Sequence, residues 1–148
     1  MAHEAVILNQ YAALKYLKLT MNENEALVQI DFRENYSLKY AEEIQSFHFG
    51  GSRKQVSLHT SSVIFKEGAY GDIKYKSICF FSENLKHDSV AILAHLRPVF
   101  KIIAHIKPKF KALHIVSDSP TSQYRNKVMF FIFGNLLVIF LIFLLRDT

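Results

Sequence analysis

The chain is poor in the residues that build special-purpose scaffolds. Cys79 is its single cysteine, which excludes an internal disulfide framework and a multi-cysteine zinc site and fits a reducing compartment. It has three prolines, five glycines and no tryptophan, which excludes collagen-like and low-complexity fibres. No phosphate-binding glycine-rich loop, dinucleotide-binding turn or Gly-x-Ser-x-Gly elbow occurs, so P-loop, Rossmann and elbow-type hydrolase functions lack a motif.

The net charge and the spacing of the histidines indicate which classes of partner and metal the chain favours. The net charge of +5 and the pI near 9.3 favour anionic partners. From Arg97 to Lys127 the basic residues are interrupted by only one acid, Asp118, which is typical of either a DNA-facing surface or an ordinary solvated face. The histidines show no helical pair four residues apart with a glutamate between them, so we do not expect zinc.

Half of the 148 residues are hydrophobic, enough for one packed core, and their spacing predicts a mixed α/β domain. A helix is expected over 4–18, and residues 37–46 form either a short helix or an irregular segment. Strands are expected over 26–32, 55–65, 75–82 and 112–117, with Cys79 as a small buried hydrophobe. Asp88 or Ser89 should cap a helix to Ile106 that Pro98 kinks or divides, and Thr121 or Ser122 should cap another.

Two aspartates stand at the ends of predicted strands. If the fourth strand returns beside the first and parallel to it, Asp31 and Asp118 emerge at the same edge of the sheet. Carboxylates are hard oxygen ligands that suit Mg²⁺ or Mn²⁺, and a metal pair can activate water for phosphodiester cleavage. The spacing therefore predicts a divalent metal site at this edge. The opposing interpretation makes Asp31 a plain strand-end residue and Asp118 a turn or cap residue.

Three blocks carry a resemblance: VQIDFRENYSLKYAEEIQSFHFGG, SENLKHDSVAILAHL and HIVSDSPTSQYRNK. They resemble transposon-derived animal proteins that are similar to DDE-type transposases with a ribonuclease-H-like core, over residues 27–127. The resemblance implies a three-strand meander, a crossover helix and a parallel fourth strand. It also implies DNA as the partner, metal-dependent phosphodiester cleavage with strand transfer, Asp31 and Asp118 as catalytic metal ligands, and Arg125 and Lys127 as nucleic-acid contacts.

The sequence departs from that family's pattern. Such nucleases need a third acid from a later helix, but no Asp or Glu lies between Asp118 and Asp147. Arg33 and Ser119 stand where a small polar residue and a glycine are expected. We therefore expect an incomplete, inactive domain whose metal site is ancestral, and whether the chain is an enzyme is left open.

The carboxyl-terminal part is strongly apolar. Residues 128–145 contain 18 residues without a charge, a candidate transmembrane helix. Arg125 and Lys127 before it would keep the bulk of the chain in the cytoplasm. The predicted organisation is an N-terminal helical segment (1–25), a partial ribonuclease-H-like domain (26–127) and an apolar helix (128–148). The alternative function is a tail-anchored membrane or interaction protein without catalysis, on an intracellular membrane; a soluble chain would be nuclear or cytoplasmic.

Overall fold

The computed structural model describes residues 2–33, 35–38, 54–68, 70–117 and 123–135, with the side chains of residues 2 and 3 left aside. The three helices in these residues are α1 (Ala2–Thr20), α2 (Ser89–Ile106) and α3 (Lys127–Gly134). The five strands are β1 (Glu25–Phe32), β2 (Tyr36–Ser37), β3 (Gln55–Glu67), β4 (Asp72–Ser82) and β5 (Ala112–Val116). Apart from the short β2, the order of the elements along the chain is the one that the sequence predicts.

The strands form one mixed sheet with a single parallel pair. β3 lies between β1 and β4 and is antiparallel to both, while the short β2 pairs with the start of β3. β5 returns on the other side of β1 and runs parallel to it, with Gln29 opposite Val116. α2 connects β4 to β5. The mixed α/β class and the parallel return of the last strand beside the first are therefore confirmed.

One face of the sheet, which we call the α2 face, carries the main core. Alternate residues of β1 point to it, from Ala26 through Val28 and Ile30 to Phe32. α2 covers them with a buried stripe, and α3 adds Met129 and Ile132. The buried apolar residues of α2 are Ile92, Leu96, Val99, Phe100 and Ile103.

The opposite face, which we call the α1 face, is covered at one end only. Leu27 and Ile64 form a second small core there with Met21, and α1 packs on it through Leu14 and Leu17. The side chains of residues 4–13 of α1 are all exposed. The last turns of α1 thus cover the start of β1, and the end of β1 is left open on this face.

Several predicted boundaries needed correction. β4 begins at Asp72 and not at residue 75, because the tight hairpin turn lets the ladder continue to the pair Glu67 and Asp72. Gly68 and Gly71 make this turn with φ of +86° and +67°, a conformation that side chains with a Cβ rarely adopt. β3 likewise extends to Glu67.

The helix boundaries agree at α2 and differ at α3. Asp88 caps α2 as predicted, accepting from the Ala91 amide at 2.9 Å, and α2 continues through Pro98 as one helix. The prediction that Thr121 or Ser122 caps the next helix was wrong: α3 begins at Lys127, after a turn. Of the segment 37–46, Ser37 belongs to β2 and the residues after Leu38 lie outside the described ones.

Among the described helices, α2 is the one long and apolar enough to cross a membrane. Its buried stripe against the sheet is what a core helix of a folded domain also shows, so length and composition are weak evidence for a span. In the predicted apolar tail, the structure describes α3 and Asn135, and the residues beyond lie outside it.

Candidate functional site

Asp31 lies at the open end of the α1 face. It is the penultimate residue of β1, is half-buried, and stands opposite Thr60 of β3. The Thr60 hydroxyl donates to the Asp31 carbonyl at 3.3 Å. An open depression of about 460 Å³ lies here, and the residues of the α1 face that line it are Gln29, Asp31, Thr60, Ser62, Ser77 and Cys79. Asp31 is therefore an accessible carboxylate in a polar concavity.

Cys79 is part of this depression, contrary to its prediction as a buried hydrophobe. It faces Thr60 across the β3–β4 pair and is exposed. Its neighbours Ile78 and Phe80 point to the α2 face and pack against the core, so alternation turns Cys79 to the other side. The residues of α1 that pack on the sheet, Leu14 and Leu17, lie at the other end of this face. The thiol of Cys79 is therefore exposed to solvent.

The second predicted metal ligand, Asp118, lies outside the described residues. β5 ends at Val116, two positions earlier in the sequence, beside Gln29 of β1. The convergence of the two carboxylates thus stays a prediction. Within the described parts of the chain, no group of three or more His, Cys, Asp and Glu side chains could hold a metal ion.

The predicted phosphate contacts, Arg125 and Lys127, are exposed and flank Asn126. The Asn126 side chain caps α3 by accepting from the Met129 amide at 3.0 Å, and it also accepts from the Ser89 hydroxyl at 3.1 Å. These contacts hold the segment against the start of α2. Asp31 points to the α1 face, so the described contacts do not join the two predicted groups.

A cluster of histidines and aromatic rings was missed in the sequence. It lies on the α2 face at the end of β1, directly behind Asp31. Phe32 stacks on His87 with ring centroids 4.4 Å apart and contacts His59 at 4.2 Å. His95 lies 5.0 Å from His59 and stacks on Phe80 at 5.3 Å. We call these five residues the histidine cluster.

Burial disfavours the charged forms of two imidazoles of the histidine cluster, those of His59 and His95. His59 is fully buried, and its Nε2 lies 3.1 Å from the hydroxyl of Tyr124. Burial first, then repulsion from His95 and His87, lowers the pKa of His59 from 6.5 to about 4. Burial and His87 likewise lower the pKa of His95. The Nδ1 atoms of His59 and His95 are buried and have no hydrogen-bond partner among the described residues.

One signal in the sequence could have revealed His59. It alternates with Val63 and Phe65 on β3, and those apolar residues mark the core face of that strand. His87 and His95 carry no comparable local signal, since only the packing of α2 on the sheet brings them to His59.

Comparison with known proteins identifies a family but indicates no activity. No curated protein matches the sequence. A family model described as a domain of unknown function, DUF8701, matches residues 10–143. That match covers the second half of α1, all five strands of the sheet, α2 and α3, and so the chain belongs to the DUF8701 family.

Proposed function

We propose that the chain is an incomplete transposase-like nuclease domain with a ribonuclease-H-like core. Its ancestral chemistry is metal-dependent phosphodiester cleavage and strand transfer on DNA, and its present form is inactive. The observation that supports this most is the parallel pairing of β1 and β5, in which Gln29 stands opposite Val116. Two strands that run side by side in one direction deliver the residues after them to one edge of a sheet.

The order of the strands supports the same proposal. A three-strand antiparallel meander is followed by the crossover helix α2 and by β5, on the far side of β1 from β3. This is the arrangement that the resemblance to DDE-type transposases implies. It separates Asp31 from Asp118 by 87 residues of sequence and still lets their strands be neighbours.

The chemistry of the site favours metal binding without turnover. Asp31 offers a hard oxygen ligand in an open polar depression, which suits Mg²⁺ or Mn²⁺. Two-metal cleavage needs ions held about 3.5 to 4 Å apart by several carboxylates. Because the sequence has no acid between Asp118 and Asp147, we expect Asp31 and Asp118 to hold one ion weakly and not a pair.

Mn²⁺ binding by the full-length chain tests this proposal. Cys79 is the only thiol and lies two strands from Asp31, or about 10 Å, so a nitroxide on it reports a nearby paramagnetic ion. We expect Mn²⁺ to attenuate the label's signal, and Asp31→Asn and Asp118→Asn each to weaken Mn²⁺ binding about tenfold or more. Calorimetric titration of unlabelled protein controls for an effect of the label.

Asp72→Asn is the matched control, because Asp72 is an exposed acid at the far end of β4. It should bind Mn²⁺ as the unmodified chain does. Equal Mn²⁺ affinity in the unmodified chain and in the Asp31→Asn, Asp118→Asn and Asp72→Asn variants would overturn the metal site.

DNA binding tests the predicted phosphate contacts. It should weaken in Arg125→Ala and Lys127→Ala, and its salt dependence should become shallower. Lys15→Ala on α1 should leave DNA binding unchanged.

The tail-anchored alternative rests on the exposed apolar side chains of α3. Val128, Phe130 and Phe131 are more than half exposed, and the sequence after Asn135 continues apolar to Leu145. However, ten residues separate Asn135 from Arg146, and a span needs about 20. A span would thus have to recruit α3 and withdraw Met129 and Ile132 from the core. Release of the full chain from membranes only by detergent would favour this alternative.

A further inference from the structure

We infer that the histidine cluster is an acid-sensitive latch. While the imidazoles of His59 and His95 are neutral, the latch holds the segment before α3 on the sheet through Tyr124; when they are protonated, it releases that segment. This inference does not rest on the proposed function, because it concerns the opposite face of the sheet and would hold for a chain that binds neither metal nor DNA.

The latch joins most of the elements of the domain at one place. Phe32 ends β1, His59 is in β3, Phe80 is in β4 and His95 is in α2. His87 precedes α2 and pairs with Asn35 at 2.9 Å, next to β2. The rings therefore connect strands to the crossover helix without an ion pair between them.

Tyr124 is the connection from the cluster to α3. It is 3% exposed, and its hydroxyl meets Nε2 of His59 at 3.1 Å. Two residues later Asn126 caps α3 and reaches Ser89 at the start of α2. The placement of Met129 and Ile132 in the core depends on this short segment. Protonation of His59 should therefore loosen the packing of α3 on the sheet.

Protonation of His59 or His95 at Nδ1 is unfavourable. Both Nδ1 atoms are buried and lack an acceptor among the described residues. Protonation there buries a charge and an N–H group without a partner. The faces of Phe32 and Phe80 can stabilise one cation weakly, but a second cation 5.0 Å away would repel the first.

The charged groups around the latch do not supply a counter-ion for a protonated imidazole. The described charged residues closest in sequence to the rings and to Tyr124 are Asp31, Arg33, Glu83, Lys86, Asp88, Arg97 and Arg125. Lys54 and Glu83 pair with each other, and Asp88 caps α2. Asp31 points to the α1 face, and among the described residues no ion pair joins a carboxylate to the imidazole of His59, His87 or His95.

The direction of the pH effect follows from the lowered pKa values. An unfolded histidine titrates near 6.5, whereas burial keeps His59 neutral down to about pH 4. Between these values the unfolded or opened chain binds the proton and the closed one does not. The latch is therefore fully stable above about pH 6.5 and loses stability as the pH falls toward 4.

Hydrogen exchange of the full-length chain at pH 7.5 and pH 5.0, corrected for intrinsic exchange rates, tests the latch. We expect protection of the amides of α3 to fall about tenfold or more at pH 5.0, since 1.5 pH units below 6.5 allow up to about 30-fold. His59→Gln and His95→Gln remove the titrating groups and should flatten this dependence. His105→Gln, an exposed histidine in the last turn of α2, should behave as the unmodified chain.

Two further measurements cover the case in which His59→Gln or His95→Gln does not fold. Tyr124→Phe removes only the hydroxyl, and it should lower α3 protection at both pH values. NMR titration of the unmodified chain should show His59 titrating well below 6.5, together with the loss of α3 protection. An ordinary His59 titration near 6.5 with α3 protection unchanged, or the full pH dependence retained in both glutamine variants, would overturn the inference.

Discussion

The two sides of the end of β1 differ in almost every physical respect. On the α1 face, Asp31 and Cys79 lie in an open polar depression. On the α2 face, one residue further on, Phe32 is 8% exposed and packed among three imidazoles. The same backbone thus supplies an accessible carboxylate and a closed core, because successive side chains of a strand point to opposite faces.

The difference arises from what covers each face. α2 contacts the α2 face along the sheet, and α3 extends the cover. On the α1 face, α1 packs through Leu14 and Leu17 on a small cluster at one end of the sheet, made of Met21, Leu27, Ile64, Ile73 and Val116. A helix that covers only one end of a face leaves the polar residues at the other end available for binding. The main core therefore lies on the α2 face, and the open polar depression lies on the α1 face.

Truncating one residue on each face should produce the largest contrast. Phe32→Ala removes the ring at the centre of the histidine cluster and should lower the free energy of unfolding by about 3 to 5 kcal/mol. Gln29→Ala, on an exposed side chain of the same strand, should change it by less than about 0.5 kcal/mol. Urea unfolding of the full chain at pH 7.5 measures both. Similar losses in the two variants would contradict the division between the faces.

The helix caps should give a smaller effect confined to the α2 face. Asn126→Ala removes the cap of α3, the contact to Ser89 and the hydrogen bond to the Gln123 carbonyl, and should cost about 1 to 2 kcal/mol. Asp88→Ala removes one capping bond of α2 and should cost about 1 kcal/mol.

Circular dichroism during urea unfolding measures the two cap variants. Asn126→Asp keeps a capping oxygen, and it should recover part of the loss. If Asn126→Ala were as stable as the unmodified chain, the segment before α3 would not be held at the start of α2 as described.

The sequence predicted most of the sheet, because strand alternation and one cap are local properties. The β-branched and aromatic residues of β1, β3 and β4 predicted these strands, and Asp88 predicted the start of α2. The hairpin ends and α3 were misplaced since polar residues such as Asp72 and Lys74 extend a strand only when a partner strand continues beside them. Asn126 caps α3 two residues after Tyr124, whose burial depends on packing against distant parts of the chain such as His59.

The site was predictable in part. Asp31 lies at the end of β1 beside a parallel strand pair, as strand order implied. The histidine cluster was not foreseen, because its members come from positions 32, 59, 80, 87 and 95 and meet only after α2 packs on the sheet. Cys79 was misassigned because a hydrophobic strand was taken as buried on both faces, although α1 covers only one end of the α1 face.

The smallest expected effect concerns Cys79 and separates the faces by reactivity. Cys79→Ser should change the free energy of unfolding by less than about 0.5 kcal/mol, since the thiol is exposed. In the folded chain Cys79 should react with a water-soluble maleimide within about tenfold of its rate in urea. Ser57→Cys in the Cys79→Ser background places a thiol on the α2 face, where Ser57 is 1% exposed, and should react only through opening. Comparable native rates for the two thiols would mean that both faces are open at this end of the sheet.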